Sequence, residues 1–269
     1  MRRSSIVSAL LSSGLLFLGA CAGETATDES ADEVVGGRAE DGFPAVGYLA
    51  TDEKGALAGP ECGATLLAPD LAVTAAHCIL DGVGYGFGYG KKGEHAIIAA
   101  RAVYVSPSYD GEWVGPHDEW NDVAILRLAK RVPKAKIIAI GTGSKGNATF
   151  VGYGRVTEGT ADITDGFTGE RKSADFRVTK TLSTELYATG VDGGNCWGDS
   201  GGALIQDEKL VGVLSRFDVK NEEEDILCKK GNRMIYTRLS GVAEFIEKAK
   251  ACKVDVVGDL PVECGGESP

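Results

Sequence analysis

Three residues whose side chains can together activate a hydroxyl group stand far apart in this chain of 269 residues, in the order histidine, aspartate, serine. His77 lies in the string TAAHC, Asp122 in NDVAIL and Ser200 in the glycine-rich string GDSGG. A serine hydroxyl is a poor nucleophile at neutral pH, so it needs a base that takes its proton and a third group that orients the base. The sequence therefore predicts that these residues form one proton-transfer line for nucleophilic catalysis.

The strings around the three residues resemble those of the trypsin/chymotrypsin-like serine peptidases, family S1. The order histidine, aspartate, serine is that of chymotrypsin and differs from the order in subtilisin and the α/β-hydrolases. The resemblance runs from about Val34 to about Ala251 and includes VVGG at Val34, CGATL at Cys62 and IYT at Ile235. It implies an exported bacterial serine endopeptidase with an all-β fold, in which two antiparallel six-stranded β-barrels pack together and a helix follows near the carboxyl end.

The resemblance also implies a role for each residue of the line. Ser200 is the expected nucleophile that forms an acyl-enzyme with a polypeptide substrate. His77 takes its proton and passes it to the leaving amine, and Asp122 holds the histidine tautomer. The tetrahedral oxyanion needs two backbone N–H groups that point at one spot, which a turn without bulky side chains permits. We assign these donors to Gly198 and Ser200.

Asp199 and Val34 are the residues that the resemblance links to activation. In the family, the residue before the nucleophile is buried and pairs with the amino group that is created when a propeptide is removed. A buried unpaired charge costs about 3–5 kcal/mol, so we expect a malformed oxyanion turn until the bond between Glu33 and Val34 is cut. Because the family usually carries arginine or lysine before that bond, Glu33 argues against activation by trypsin.

The substrate pocket is expected to be narrow and uncharged. Gly194 stands six residues before Ser200, where trypsin-like members carry an aspartate that binds lysine or arginine side chains. Ser215 matches the family serine behind the triad, and the following Arg-Phe replaces the Trp-Gly that the family often carries. Phe217 and Met234 would narrow the pocket. Together these residues predict cleavage after small or medium apolar residues.

Residues 1–21 are typical of an export signal. A basic start of two arginines precedes Ile6–Ala20, an apolar run that is too short for a comfortable membrane span. The run ends in LGAC, which resembles a bacterial lipobox and predicts a lipid on Cys21, hence a cell-envelope lipoprotein in the outer membrane or periplasm. The alternative is cleavage by ordinary signal peptidase after Ala22, which would give a secreted protein.

Six cysteines besides Cys21 are available for disulfide bonds, and sequence alone allows fifteen pairings. The family resemblance implies the pairs Cys62–Cys78 and Cys196–Cys228, which leaves Cys252 and Cys264 as a third pair in the tail. Export to an oxidising compartment favours all three bonds. Zinc is the alternative use of six cysteines, but no short CxxC pair or Cys/His cluster supports it.

The remaining chain divides into three segments. Residues 22–33 are acidic and lack large apolar side chains, which is typical of a disordered linker or propeptide. Residues 34–251 form the expected peptidase domain, with the boundary between barrels near 131–136, and residues 252–269 are a tail. Short β-rich runs between glycine-rich turns predict strands. These runs are Ala45–Ala50, Thr65–Ala68, Leu71–Ala75, Ala102–Val105, Val123–Leu128, Phe150–Gly152 and Leu210–Ser215.

One helix is predicted near the end of the peptidase domain. Ser240 is its expected N-cap, and Val242, Phe245, Ile246 and Ala249 recur with helical spacing and form one apolar face.

The net charge and the motifs limit which kinds of binding partner and cofactor we expect. The formal net charge is −11, from 28 lysines and arginines against 39 aspartates and glutamates, so the chain should avoid nucleic acid and anionic membrane surfaces. The sequence shows no cluster of metal ligands and no dinucleotide-binding loop. Calcium in an acidic loop stays open as an alternative, although no feature motivates it. We therefore expect a monomer without a metal or cofactor.

Two other functions compete with the endopeptidase. A binding protein on a protease scaffold would keep the triad but have a blocked pocket or never mature, and Phe217, Met234 and Glu33 keep this hypothesis open. A structural lipoprotein is supported only by the amino terminus and leaves the triad unexplained.

Overall fold

The computed structural model describes residues 37–52, 56–91, 94–111, 121–154, 169–218 and 228–264, and its regular structure is mostly β-strand. The predicted export signal, the segment 22–33 and the predicted sites at Cys21 and Val34 lie outside the described residues. Among the residues described, no helix is long and apolar enough to cross a membrane.

Six antiparallel strands close into the first barrel. Along the sheet they run in the order β6, β5, β2, β3, β4, β7, and a further pairing of β6 with β7 closes it. The strands are β2 (Val46–Asp52), β3 (Ala58–Ala68), β4 (Leu71–Thr74), β5 (Gly84–Tyr89), β6 (Ala96–Val105) and β7 (Ala124–Leu128).

Six more strands close into the second barrel in the order β9, β10, β13, β12, β11, β8, and β8 also pairs with β9. These strands are β8 (Gly146–Gly152), β9 (Lys172–Thr181), β10 (Glu185–Gly190), β11 (Ala203–Gln206), β12 (Lys209–Phe217) and β13 (Arg233–Arg238). A short strand β1 (Arg38–Ala39) pairs with β9, and residues 129–145 connect the barrels. The expected fold of two six-stranded barrels is confirmed, and each predicted β-run overlaps a strand.

Alternation of side chains explains why these segments form barrels. In β9, Ala174, Phe176 and Val178 are buried, whereas Arg177 and Thr179 between and after them are exposed. Successive side chains of a strand point to opposite faces, so one face fills the barrel and the other meets solvent. The second barrel is filled by aromatic rings, with the centroids of Phe150, Phe176 and Tyr236 between 5.9 and 6.4 Å apart.

The predicted helix is present, but its start differs from the prediction. Helix α1 covers Ala243–Ala251 and buries Phe245, Ile246 and Ala249 as expected. The prediction that Ser240 caps it is wrong, because a 3-10 turn over Leu239–Val242 precedes the helix and Val242 holds the cap position without a side-chain bond. The Ser240 hydroxyl instead donates to the carbonyl of Thr142, over 2.9 Å.

The chain after α1 returns to the first barrel. Strand β14 (Val257–Asp259) pairs in parallel with β6, and the Tyr104 hydroxyl donates to the carbonyl of Val254 over 2.8 Å. The Cys252–Cys264 disulfide closes this segment into a loop, and the pairs Cys62–Cys78 and Cys196–Cys228 are also joined.

Arg127 fastens the end of α1 to the first barrel. It lies in β7 and is only 3% exposed, and its Nη2 donates to the carbonyls of Ala249 and Lys250 over 3.2 and 2.7 Å. The last carbonyls of a helix have no partner within the helix, and a cation also interacts favourably with their dipoles. Arg127 therefore satisfies groups that would otherwise be buried without a donor.

We expect Arg127→Met to lower the free energy of unfolding by about 2 kcal/mol, because hydrogen bonds from a charged donor contribute about 1.5–3 kcal/mol. Equilibrium unfolding in guanidinium chloride measures this. Arg101→Met is the matched control, since Arg101 pairs with Asp255 at the surface, and exposed pairs contribute at most about 1 kcal/mol. Equal losses in the two variants would contradict the assigned role of Arg127.

Candidate active site

The three predicted residues come from both barrels. His77 lies in a 3-10 turn that follows β4, and Asp122 stands just before β7, so both belong to the first barrel. Ser200 lies in the turn between β10 and β11 of the second barrel. The N–H of Gly63 in β3 donates to the carbonyl of Ser200 over 2.6 Å, which ties this turn to the first barrel.

Glycine is required where the two barrels touch. A Cβ atom on Gly63 would lie 2.6 Å from the Cα atom of Gly202, which is closer than real Cβ contacts. A Cβ atom on Gly201, whose φ is +74°, would lie 2.4 Å from the Gly63 carbonyl oxygen and from Thr74 Oγ1. Thr74 in turn donates to that same carbonyl over 2.7 Å. The absence of side chains thus allows the turn that carries Ser200 to approach the first barrel.

Asp122 binds His77 through two separate hydrogen bonds. The Nδ1 atom of the ring lies 2.8 Å from Asp122 Oδ2, and the backbone N–H of His77 donates to Oδ1 over 3.0 Å. The side chain of Asp122 is 1% exposed and that of His77 is 10% exposed. With Nδ1 engaged by the carboxylate, Nε2 is the ring nitrogen that can exchange a proton with a nucleophile.

The second barrel completes the surroundings of Asp122. The Ser215 hydroxyl in β12 donates to Asp122 Oδ2 over 2.6 Å, and the Thr237 hydroxyl in β13 donates to the backbone carbonyl of Asp122 over 2.8 Å. Burial alone raises the pKa of Asp122, but the facing His77 and the hydrogen bonds from His77 and Ser215 outweigh it and lower the pKa. Asp122 is therefore ionised at neutral pH.

The turn before Ser200 leaves two N–H groups available. Gly198 has a φ of +87°, a conformation that glycine adopts without strain. The N–H groups of Asp199 and Gly202 donate to Cys196 and Asp199 carbonyls within the turn. Among the described residues, the N–H groups of Gly198 and Ser200 donate to no other protein atom. These are the two groups that the sequence assigns to an oxyanion.

Asp199 is fully buried in a tight cradle of backbone. The N–H groups of Cys196 and Gly154 donate to its two oxygens, each over 2.9 Å. A Cβ atom on Gly152 or Gly154 would lie within 2.4 Å of the carboxyl group. Burial raises the pKa of Asp199 to about 7, although these hydrogen bonds lower it. Within the described ranges no cation pairs with Asp199, and its predicted partner Val34 lies outside them.

The structure gives the packing around the predicted pocket residues Gly194, Phe217 and Met234. A Cβ atom on Gly194 would lie 1.9 Å from the carbonyl oxygen of Lys229, so an aspartate does not fit this backbone. Phe217 and Met234 are paired neighbours on β12 and β13, and Met234 is fully buried. The Phe217 ring also contacts Trp197, with centroids 6.1 Å apart. Ser215, the fourth predicted pocket residue, points to Asp122.

Several residues of the site escaped the sequence prediction. Gly63, Gly154 and Thr237 act through contacts between segments that are distant in sequence, and single glycines or threonines carry no signal of such contacts. Trp197, 39% exposed beside the predicted pocket, had a signal that was overlooked, because it stands directly before the GDSGG string.

One group of potential metal ligands occurs among the described residues. It consists of Cys62, His77 and Cys78, whose ligand atoms lie within 4.8 Å of one another. The two cysteines are joined as a disulfide, so their sulfur atoms are not thiolates and the group is unsuited to a metal ion.

Comparison with known proteins agrees with this geometry. The family profile named Trypsin matches residues 35–246. A trypsin-like protease of Streptomyces glaucescens is 29% identical over 243 residues, which cover 80% of this chain and 82% of that protein. A trypsin of Saccharopolyspora erythraea is 28% identical over 180 residues, which cover 57% of this chain and 74% of that protein.

A solved structure shows the same fold. Neuropsin, a serine protease expressed in the limbic system of mouse brain, superposes with a TM-score of 0.61 at 20% sequence identity. The superposition covers 80% of this chain and 98% of that chain. Since the family profile spans most of the sequence, the chain belongs to the trypsin family and is a serine endopeptidase.

Proposed function

We propose that this endopeptidase cleaves peptide bonds through an acyl-enzyme on Ser200. The observation that carries the proposal is the buried Asp122 carboxylate, which holds both the ring and the backbone of His77. The Ser200 oxygen attacks the scissile carbonyl carbon while His77 Nε2 takes the serine proton. The same proton then passes to the leaving amine, and the C–N bond breaks. Water repeats the sequence to release the acyl group and restore Ser200.

The negative oxygen of the tetrahedral intermediate is bound by the N–H groups of Gly198 and Ser200. Donors that are already oriented stabilise this charge without reorganisation at the moment of reaction. Support comes from the two N–H groups having no other acceptor among the described residues. The ionised Asp122 stabilises the imidazolium of His77 in the same step.

A fluorophosphonate probe tests the nucleophile. We expect the mature chain to be labelled on one serine, and Ser200→Ala to lose both the label and about 10⁴-fold or more in kcat, as is typical of triad serines. Asp122→Asn should retain the fold and lose activity by about 10⁴-fold, because the histidine is then held in the wrong tautomer. Labelling that persists in Ser200→Ala would contradict the assignment.

A catalytically silent binding protein is the second candidate function. The observations that favour it are the closely packed Phe217 and Met234 at the pocket and the absence of a cation for Asp199 among the described residues. Under this hypothesis the probe does not label the chain even after deliberate cleavage between Glu33 and Val34. The same labelling experiment therefore separates the two candidates.

Asp199 is proposed to control activation through the amino group of Val34. A carboxyl group with a pKa of about 7 is partly ionised at neutral pH in a cradle that offers only N–H donors. Cleavage after Glu33 would create an ammonium group that can pair with it and stabilise the ionised form. Since Asp199 lies between the two oxyanion donors, its ionisation and the geometry of the turn are coupled.

The stability of the uncut chain should depend on pH through Asp199. The folded pKa of about 7 lies above the ordinary value of 3.8, so between these values the folded state binds a proton that the unfolded state releases. Stability is therefore lost as the pH rises through this window. In a Ser200→Ala background, which prevents self-cleavage, the urea midpoint should fall more from about pH 4.5 to about pH 7.5 than it does in Asp199→Asn.

The cut chain is the control for this prediction, with its start at Val34 verified by amino-terminal sequencing. Pairing with the new ammonium group should lower the pKa of Asp199, so the excess loss of stability at high pH should disappear. An identical pH dependence in cut and uncut chains would contradict the pairing.

Substrate specificity is proposed to be non-tryptic, with cleavage after small or medium apolar residues. The uncharged floor at Gly194 offers no partner to a lysine or arginine side chain, and leaving that charge unpaired would be costly. Phe217 and Met234 fill the space that a large aromatic side chain would need.

Phe217→Gly should widen the pocket. On a peptide library we expect the variant to raise cleavage after phenylalanine relative to alanine by about tenfold or more, since each methylene in an apolar pocket contributes about 10-fold or more to discrimination. Val262→Gly, an exposed apolar residue of the tail, is the control and should not change the preference. Unchanged preference in Phe217→Gly would show that this ring does not limit the pocket.

We infer that the protein is exported and acts on polypeptides outside the cytoplasm. Three disulfide bonds favour an oxidising compartment, and residues 1–21 have the pattern of an export signal. Lipid attachment at Cys21 would tether the enzyme to the cell envelope through the acidic segment 22–33, whereas cleavage after Ala22 would release it. The assembly is proposed to be a monomer.

A further inference from the structure

The strand that carries Ser215 is irregular at that residue. In β12, Leu214 lies opposite Tyr236 of β13, but Arg216 lies opposite Ile235, so the register shifts around Ser215. Neighbouring side chains on a regular strand point to opposite faces, and a bulge re-aims them. As a result, Nη1 of Arg216 lies 3.4 Å from Ser215 Oγ, with both side chains buried.

A second contact fixes the guanidinium in this position. Nη2 of Arg216 lies 2.6 Å from Glu185 Oε1, and the two side chains are 8% and 1% exposed. The Tyr187 hydroxyl donates to the other oxygen of Glu185 over 3.1 Å. If either group turned to solvent, the other would stay buried as an unpaired charge, so the ion pair favours the position in which both side chains are held.

The chemistry of the groups sets the direction of the hydrogen bonds. A guanidinium only donates, whereas a hydroxyl has one proton and two lone pairs. Ser215 must therefore accept from Arg216, and its single proton is left for Asp122 Oδ2, which lies 2.6 Å away. The series Glu185, Arg216, Ser215, Asp122 thus has one consistent orientation.

We propose that Arg216 is a positioning residue that acts on catalysis through Ser215. This inference rests on the proposed role of Asp122 and His77. Arg216 holds the Ser215 hydroxyl in the rotamer that donates to Asp122, and Asp122 keeps all its donors while it holds the His77 ring. Its guanidinium is buried and engaged with Glu185, so we expect it to act without contacting substrate and to leave substrate affinity unchanged.

Arg216→Lys is the first test. Lysine keeps a cation for Glu185, but a single ammonium on a flexible stem cannot replace a planar fork that serves Glu185 and Ser215 together. We expect kcat to fall about tenfold, because hydrogen bonds that involve charged groups are worth about that factor, with KM changed by less than about twofold. Arg177→Lys, an exposed position on β9 of the same barrel, is the control and should leave both constants unchanged.

A double-mutant cycle with Ser215→Ala separates positioning from general destabilisation. Removing the hydroxyl should lower kcat by a similar factor, and Arg216→Lys should then add no further loss, within about twofold. A second variant, Arg216→Met combined with Glu185→Gln, removes both charges and retains volume, so the fold does not depend on lysine being accommodated. This double variant should lower kcat as Arg216→Lys does when Ser215 is present, and it should leave kcat unchanged in the Ser215→Ala background.

Two results would overturn the inference. Additive losses in kcat would mean that Arg216 does not act through Ser215, and a rise in KM with unchanged kcat would mean that it contacts substrate. A failure of the proposed function would give a different result, because the fluorophosphonate probe would then not label the parent chain. An active parent with additive variants refutes only the role of Arg216.

Discussion

The buried carboxylate of Asp122 is the group on which the arrangement of this molecule depends. A charge removed from water must be compensated by hydrogen bonds or opposite charges. Here the donors come from both barrels, with His77 from the first and Ser215 from the second, and Thr237 fixes the backbone of the same residue. A shift of one barrel against the other would leave the carboxylate short of donors. The residue that serves the proposed chemistry therefore also links the two barrels through hydrogen bonds.

Close backbone approach is the second constraint, and it acts beside the first. The Ser200 turn can accept the Gly63 N–H only because neither Gly63 nor Gly201 carries a side chain. Glycine costs conformational entropy in a strand such as β3, so Gly63 weakens local structure for the sake of a long-range contact. This trade is typical of sites where two rigid elements must meet within hydrogen-bond distance, since a single methyl group there would separate them.

The sequence was sufficient for features that repeat locally or belong to a recognisable string. The strands follow from short β-rich runs between glycine-rich turns, and the apolar face of α1 follows from helical spacing around Phe245. The prediction that Ser240 caps α1 was wrong because the sequence pattern is too short to distinguish the 3-10 turn over Leu239–Val242 from the first turn of the α-helix that follows it. The burial of Arg127 and of the Arg216–Glu185 pair could not be predicted from the sequence. Charged residues are usually exposed, and nothing in the sequence reveals which of them will be buried together.

The contrast between Asp122 and Asp199 shows how the same side chain acquires opposite behaviour. Both carboxylates are buried, and burial raises the pKa of each. Asp122 faces an imidazole and ends below its ordinary pKa, whereas the hydrogen-bond donors that Asp199 has among the described residues are neutral N–H groups, and its pKa rises to about 7. Neutral donors compensate a buried charge less well than an opposite charge does. Among the described residues no cation pairs with Asp199, and a Cβ atom on Gly152 or Gly154 would come within 2.4 Å of its carboxyl group. A chain terminus, which brings an ammonium group with little bulk, is the kind of cation that such a cradle can admit.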